Sequence, residues 1–183
     1  TRQGQIDSPV GAAGSELGPV DVRIHQRGLG GDVPVIDMPD EQWSRVLEVT
    51  LGSVFRMSRA FLPTMYARKS GAIVNNASVL GWRAQKGQAH YAAAKAGVMA
   101  FTRCSAIEAA EHNVRINAVA PSLAGHPFLA KVIASEKLTY ILTLEAFGRA
   151  AEVWEVANVM MFLASDLSGY MTGETISVSS QRA

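Results

Sequence analysis

The sequence lacks several features that mark other classes of protein. Its 183 residues include a single cysteine, Cys104, so no internal disulfide can form and a disulfide-stapled secreted scaffold is excluded. It has no basic run, and its formal net charge of +1 argues against a nucleic-acid or membrane-surface role. It shows no signal peptide, long apolar span, repeat or low-complexity tract, so we expect a cytoplasmic location. We expect no metal site.

The composition that is present is that of a folded domain. Apolar residues make up 48% of the chain and charged residues 18%, which is enough for a real hydrophobic core in one soluble globular domain. Residues 1–19 are rich in glycine, proline and serine and show neither helical nor strand periodicity. We therefore expect residues 1–27 to form an atypical or poorly ordered N-terminal segment.

Apolar periodicity along the rest of the chain predicts alternating strands and helices. Short apolar runs favour strands, and apolar residues three or four apart favour amphipathic helices. Such alternation is typical of an α/β fold with a parallel sheet. We expect strands near 20–24, 71–77, 114–120 and 174–178, and helices near 39–66, 88–111 and 152–164.

Three residues form the main candidate site. Tyr91 and Lys95 stand four apart on a predicted helix, so they share one face and the ammonium can lie near the phenol. Bringing a phenol pKa from about 10 to near neutrality takes roughly 4 kcal/mol, and one cation at about 4 Å and an effective dielectric of about 20 supplies that much. Ser78 follows the apolar run Ala72–Val74, where a predicted strand ends. Such a set suits carbonyl and alcohol chemistry.

Ser78 with Tyr91-x-x-x-Lys95, followed by the run from Arg115 to Pro121, resembles the short-chain dehydrogenase/reductase family. The resemblance implies a Rossmann-type doubly wound parallel sheet and hydride transfer between NAD or NADP and a carbonyl or secondary alcohol. The likeness begins at about Gly28. It therefore implies that residues 28–183 are the C-terminal portion of such a domain, which lacks its first βαβαβ portion.

The resemblance also implies roles for the residues. Ser78 would hydrogen-bond the substrate oxygen, Tyr91 would protonate it, and Lys95 would lower the pKa of Tyr91 and hold the nicotinamide ribose. Tyr91 would also contact the cofactor, together with Lys95. Thr50 stands where the family carries an asparagine of the proton relay. The alternative for Thr50 is a plain position on a helix face.

Further positions match the cofactor-binding pattern of the family only in part. Of the family's Asn-Asn-Ala-Gly turn, only Gly28 remains. Ser122 follows Pro121 where a glycine is usual, and His126 falls near the threonine that holds the nicotinamide carboxamide, although a loop histidine facing solvent is an alternative. The segment 127–144 resembles the mobile segment that covers the substrate, with ordinary helical packing as its alternative.

The run 75–85 and the ending 178–181 look like an actinobacterial subgroup that reduces a coenzyme A thioester during breakdown of steroid C and D rings. The substrate would then be a small-molecule carbonyl or alcohol, and the family resemblance implies a homotetramer. A 3-oxoacyl thioester reductase is the competing enzyme. A truncated, non-catalytic relative that only self-associates is the hypothesis from another class.

Overall fold

A parallel sheet forms the centre of the computed structural model, which describes residues 14–16, 18–125 and 135–180. Its four strands are β1 (Val22–His25), β2 (Gly71–Asn76), β3 (Val114–Pro121) and β6 (Thr175–Val178). They lie in the order β1-β2-β3-β6, and each is parallel to its neighbours. A separate two-stranded pair joins β4 (Ala124–Gly125) to β5 (Ala151–Glu152).

The helices connect the strands and flank the sheet. The chain runs from α1 (Asp40–Leu47) through a π-helical turn (Glu48–Gly52) into α2 (Ser53–Arg68). The later helices are α3 (Ala89–Ala110), α4 (Ser135–Leu144) and α5 (Val153–Ala164). In the described part of the chain, no helix is both long and apolar enough to cross a bilayer.

Both faces of the sheet are covered, because alternate residues of each strand point to opposite faces. On one face, Ile73 and Ile116 pack with residues of α2 and α3 such as Met65 and Ala106. On the other face, a second cluster packs residues of the sheet against α5; its buried members are Val74, Val119, Val156, Met160 and Leu163. The chain thus has the doubly wound α/β architecture that the sequence predicts, as a sheet buried on both faces requires.

Two left-handed residues turn the chain back into the sheet. Lys69 (φ 53°) ends α2 ahead of β2, and Asn113 (φ 57°) precedes β3. The Asn113 side-chain amide donates to the Lys69 carbonyl at 2.9 Å. This bond joins the two turns, so β2 and β3 start side by side and end at the same edge of the sheet.

The predicted strands and helices are found within a few residues of their expected positions. The exception is the predicted long helix 39–66, which the π-helical turn Glu48–Gly52 divides into α1 and α2. Within the predicted N-terminal segment 1–27, residues 1–13 and 17 lie outside the described part of the chain. The structure describes residues 14–16 and 18–27, which include β1. That prediction stays untested.

Candidate active site

The candidate site lies where parallel strands end. The residues that follow β1, the last residues of β2 and the end of β3 meet at one edge of the sheet. In open α/β sheets, ligands bind in the crevice outside the carboxyl ends of the strands. The sequence-predicted residues Ser78, Gly28 and Pro121 all lie at this edge.

Ser78 and Tyr91 face each other across this crevice. Ser78 is only 8% exposed, and its Oγ accepts a hydrogen bond from the Leu80 backbone N–H at 3.2 Å, which caps the short turn Val79–Gly81. Tyr91 lies in the first turn of α3 and shares a side-chain hydrogen bond with Ser78. The two hydroxyl groups therefore converge on one point.

Lys95 completes the group from one helical turn further along α3. It is 2% exposed, and its Nζ donates to the Asn76 carbonyl at the end of β2 at 2.6 Å. The same Nζ lies 5.6 Å from the centroid of the Tyr91 ring. The structure thus brings Ser78, Tyr91 and Lys95 together, as the helical spacing indicates.

The protonation states differ from the sequence expectation. Burial raises the pKa of Tyr91 above its ordinary value, and the hydrogen bond with Ser78 opposes that rise without cancelling it. Burial also lowers the pKa of Lys95 to about 8. The expectation of a Tyr91 phenol pKa near neutrality is therefore wrong for this structure, because removal of the phenol from water outweighs the hydrogen bond with Ser78. The effect of Lys95 on that pKa stays a prediction. Tyr91 is a protonated donor at neutral pH.

A glycine loop after β1 forms the wall beside these residues. A Cβ at Gly28 would lie 3.5 Å from Lys95 Nζ, and a Cβ at Gly30 would lie 3.3 Å from Tyr91 Cδ2. A larger side chain at either position would occupy the space next to the ammonium or the phenol. Gly28, which the family resemblance assigns to cofactor binding, thus borders Lys95.

Thr50 holds this loop in place. It is fully buried in the π-helical turn, and its Oγ1 accepts from the Leu29 N–H at 3.1 Å and donates to the Leu29 carbonyl at 3.4 Å. π-helical turns occur often at functional sites. The Thr50 hydroxyl thus ties the helix to the glycine loop. A relay role for Thr50 stays a prediction.

Sequence reasoning missed a buried polar network under the same edge. Arg23 donates to Ser58 Oγ at 3.2 Å and to His25 Nδ1. Because a guanidinium only donates, Nδ1 accepts and Nε2 carries the proton toward Ser53 Oγ at 2.9 Å. Burial, with the nearby positive charges of Arg23, Lys95 and Arg27, lowers the pKa of His25 to about 4. His25 is therefore neutral, and the alternation of polar and apolar residues in β1 was the signal that could have found it.

The structure describes only some of the other residues that the resemblance assigns to cofactor binding. Pro121 is the last residue of β3, and the backbone N–H of Ser122 donates to the Val178 carbonyl at 3.1 Å. His126 lies outside the described residues, so its role stays a prediction. Of the predicted covering segment 127–144, residues 135–144 are described and form α4.

The crevice has groups that suit a nicotinamide nucleotide. Asn76 Oδ1 is buried and has no hydrogen-bond partner among the described residues. It belongs to the residue whose carbonyl accepts from Lys95 Nζ, and Gly28 lies beside that ammonium with no side chain of its own. An unused acceptor and a cation next to a glycine backbone suit the hydroxyl groups of a ribose.

A cavity of about 840 Å³ adjoins this site. Its walls come from the segment 32–34 after the glycine loop, from the segment 80–87 after Ser78, and from α4. The Lys137 side chain on α4 forms an ion pair with Asp32, which also accepts from the Gln88 side chain. Asp32 therefore links α4 to the start of the helix that carries Tyr91.

Comparison with known proteins shows that this chain is similar to reductases. A family model described as Enoyl-(Acyl carrier protein) reductase matches residues 1–180, which extends the likeness upstream of Gly28. The (5R,7aS)-5-hydroxy-7a-methyl-1-oxo-2,3,5,6,7,7a-hexahydro-1H-indene-carboxyl-CoA reductase of Mycobacterium tuberculosis is 59% identical over 182 residues, which span 99% of this chain and 70% of that protein. The 3-oxoacyl-(acyl-carrier-protein) reductase FabG of Escherichia coli is 35% identical over 97% of this chain and 72% of that protein.

Solved structures show the same likeness. A short chain dehydrogenase from Mycobacterium smegmatis superposes with a TM-score of 0.84 and 55% identity, over 99% of this chain and 67% of that one. An NAD⁺-bound xylitol dehydrogenase superposes with a TM-score of 0.90 and 25% identity, over 97% of this chain and 75% of that one.

Proposed function

Because this chain belongs to the short-chain dehydrogenase/reductase family, we propose that it is an oxidoreductase that reduces a ketone on a coenzyme A thioester with a steroid-derived ring system. The observation that carries the chemistry is the convergence of Ser78, Tyr91 and Lys95 at the edge of a parallel sheet. The coenzyme A thioester is supported by the relative that is 59% identical and is named for such a substrate.

Each side chain at the site has its own role in the proposed reduction. The Ser78 and Tyr91 hydroxyl groups share a hydrogen bond, so a carbonyl oxygen between them can accept from both. Burial keeps Tyr91 protonated, and the phenol gives its proton to that oxygen as the alcohol forms. Lys95 and the Asn76 amide would hold the ribose of the cofactor, with Gly28, Pro121 and Ser122 around it. The nicotinamide supplies the hydride when it is bound.

Cofactor binding and turnover test the proposal together. We expect tryptophan fluorescence of the purified 183-residue chain to change saturably with NADH or NADPH, and the tighter of the two to support reduction. Binding with reduction of the indene-type coenzyme A thioester would support the proposal. If neither nucleotide binds and no ketone is reduced, the chain is the non-catalytic relative that only self-associates.

A 3-oxoacyl thioester reductase is the second candidate function. It is supported by FabG proteins that are 35% and 38% identical to this chain. The two functions differ in the shape of the acyl group, since one is a fused ring and the other a linear chain. A higher kcat/KM for a linear 3-oxoacyl thioester than for the ring thioester would favour the second candidate.

A homotetramer in the cytoplasm is part of the same proposal. Large apolar side chains are exposed on several helices, which favours burial against another copy; they include Phe55, Ile107, Trp154, Met161 and Phe162. Light scattering after size-exclusion chromatography measures the mass directly. A measured molar mass equal to that of a single chain would contradict the tetramer, but it would leave the proposed reaction unaffected.

The pH profile of ketone reduction is expected to report Lys95. Its pKa of about 8 means that the ammonium is present below pH 8 and is lost as the pH rises through that value. Tyr91 stays protonated over the same range because its pKa is raised. We therefore expect kcat/KM to be flat below pH 8 and to fall about tenfold per pH unit above it.

The Lys95→Arg variant is the matched control, since its cation does not titrate in this range. Its activity is expected to be lower throughout, but the fall above pH 8 should disappear. An unchanged alkaline fall in Lys95→Arg would show that another group titrates.

A further inference from the structure

One side chain binds the glycine loop after β1 to the start of α3. Gln88 stands immediately before α3, and its Nε2 donates to the Gly31 carbonyl at 3.0 Å and to the Asp32 carboxylate. The Gln88 backbone carbonyl accepts from the Ala92 N–H at 2.8 Å, within the first turn of α3. That turn carries Tyr91, so Gln88 joins the loop to the backbone of the proposed proton donor.

The Asp32 carboxylate has a second partner on α4. Its Oδ1 accepts from Gln88, and its Oδ2 pairs with the Lys137 ammonium. Burial favours the protonated acid, but the bonds from Lys137 and Gln88 hold the pKa of Asp32 below its ordinary value. The carboxylate is therefore charged at neutral pH and connects α4 to the loop and to α3 at the same time.

Helix α4 is anchored differently at its two ends. Of its ten residues, all of which are described, only Ile141 is buried. Just beyond its C-terminal end, the buried Glu145 accepts from Ser180 Oγ at 2.7 Å. Within the described ranges, the polar contact that holds the first half of α4 is the ion pair between Lys137 and Asp32. The C-terminal end is thus fixed after β6, and the first half depends on that pair.

The ion pair is exposed enough to open. The Lys137 and Asp32 side chains are 29% and 45% exposed. Since water competes with both partners, pairs of this kind contribute little to stability. The loop that carries Asp32 also borders the phenol, because a Cβ at Gly30 would lie 3.3 Å from Tyr91 Cδ2. Opening of the pair therefore weakens the contacts that hold the wall beside Tyr91.

We propose that Asp32 is a positioning residue for the reduction, which couples the docking of α4 to the placement of the Tyr91 hydroxyl. It acts through Lys137 on one side and through Gln88 on the other. The hydroxyl of Tyr91 then meets that of Ser78 in its productive place while α4 is docked. This inference rests on the proposed function and adds a residue that acts through its neighbours and not on the reacting atoms.

Kinetics and hydrogen exchange measured by mass spectrometry on the full chain test the coupling. We expect Lys137→Gln to lower kcat by about two- to fivefold, as the loss of a partly exposed pair allows. Asp32→Asn weakens the bonds to both partners, so a larger fall of about tenfold is expected. In both variants, amide exchange should become faster in α4 and also in the first turn of α3.

Two further variants separate the pair from the rest of the helix. Lys137→Arg keeps the cation and should restore both kcat and slow exchange. Glu136→Gln also changes one charge in the first turn of α4, at an exposed neighbour of Lys137, and should leave both readouts at the parent values.

The inference would be overturned if Lys137→Gln made exchange faster in α4 alone and left kcat unchanged. It would also be overturned if Lys137→Arg behaved like Lys137→Gln, because the charge would then not be the cause. If the parent chain reduces no ketone, the proposed function fails, and faster exchange in both segments of Lys137→Gln would still support the coupling through Asp32.

Discussion

Replacing Tyr91 by phenylalanine is expected to lower kcat for ketone reduction by about three orders of magnitude or more, with no loss of folding. The variant keeps the ring that packs in the first turn of α3 and removes only the hydroxyl that meets Ser78. Loss of a positioned general acid typically costs about 10² to 10⁴ in rate. Steady-state kinetics with the thioester substrate and a thermal unfolding curve measure the two effects.

Tyr170→Phe is the matched control, since Tyr170 is fully exposed and follows the turn Asp166–Ser168 far along the chain from α3. Its kcat should equal that of the parent chain. A Tyr91→Phe protein with a kcat within a few-fold of the parent value would refute the assignment of Tyr91 as the acid. The thermal unfolding curve of Tyr91→Phe should match that of the parent chain, which separates loss of chemistry from loss of the fold.

Replacing Ile116 by alanine is expected to lower the free energy of unfolding by about 2 to 5 kcal/mol. Ile116 is completely buried in β3, where it packs between α2 and α3. The large-to-small change removes apolar contacts and leaves a cavity that the sheet and helices cannot fully close. Denaturant unfolding followed by circular dichroism measures the change.

Ile36→Ala makes the same chemical change on a residue of the short turn Val35–Asp37 that is 93% exposed. It is expected to alter the free energy of unfolding by no more than about 0.5 kcal/mol. Equal destabilisation by the two variants would contradict the placement of the core between the sheet and this pair of helices.

Much of the fold could be predicted because strands buried on both faces leave a clear signal. β2 and β3 are short apolar runs between turn residues, and α3 and α5 are long helical patterns. The π-helical turn could not be predicted, since Glu48–Gly52 continues the helical pattern on both sides of it. Strands of two residues, such as β4 and β5, are too short to leave a pattern.

In the candidate site, too, some features could be predicted from the sequence and others could not. The proximity of Tyr91 and Lys95 could be predicted because their spacing depends only on the helix, and that of Ser78 because it follows a strand. The partner of Thr50 was not found, since Leu29 is 21 residues away and is bound through its backbone. The direction of the Tyr91 pKa was wrong because burial depends on the whole fold. The likeness to the family also begins earlier than Gly28, where motif residues alone had placed its start.

The ammonium of Lys95 is anchored by a peptide oxygen at position 76. Every amino acid carries that oxygen, so a substitution at this position leaves the anchor in place as long as the strand keeps its course. The position of the Lys95 ammonium is therefore set by the path of the main chain and is independent of which side chain stands at position 76.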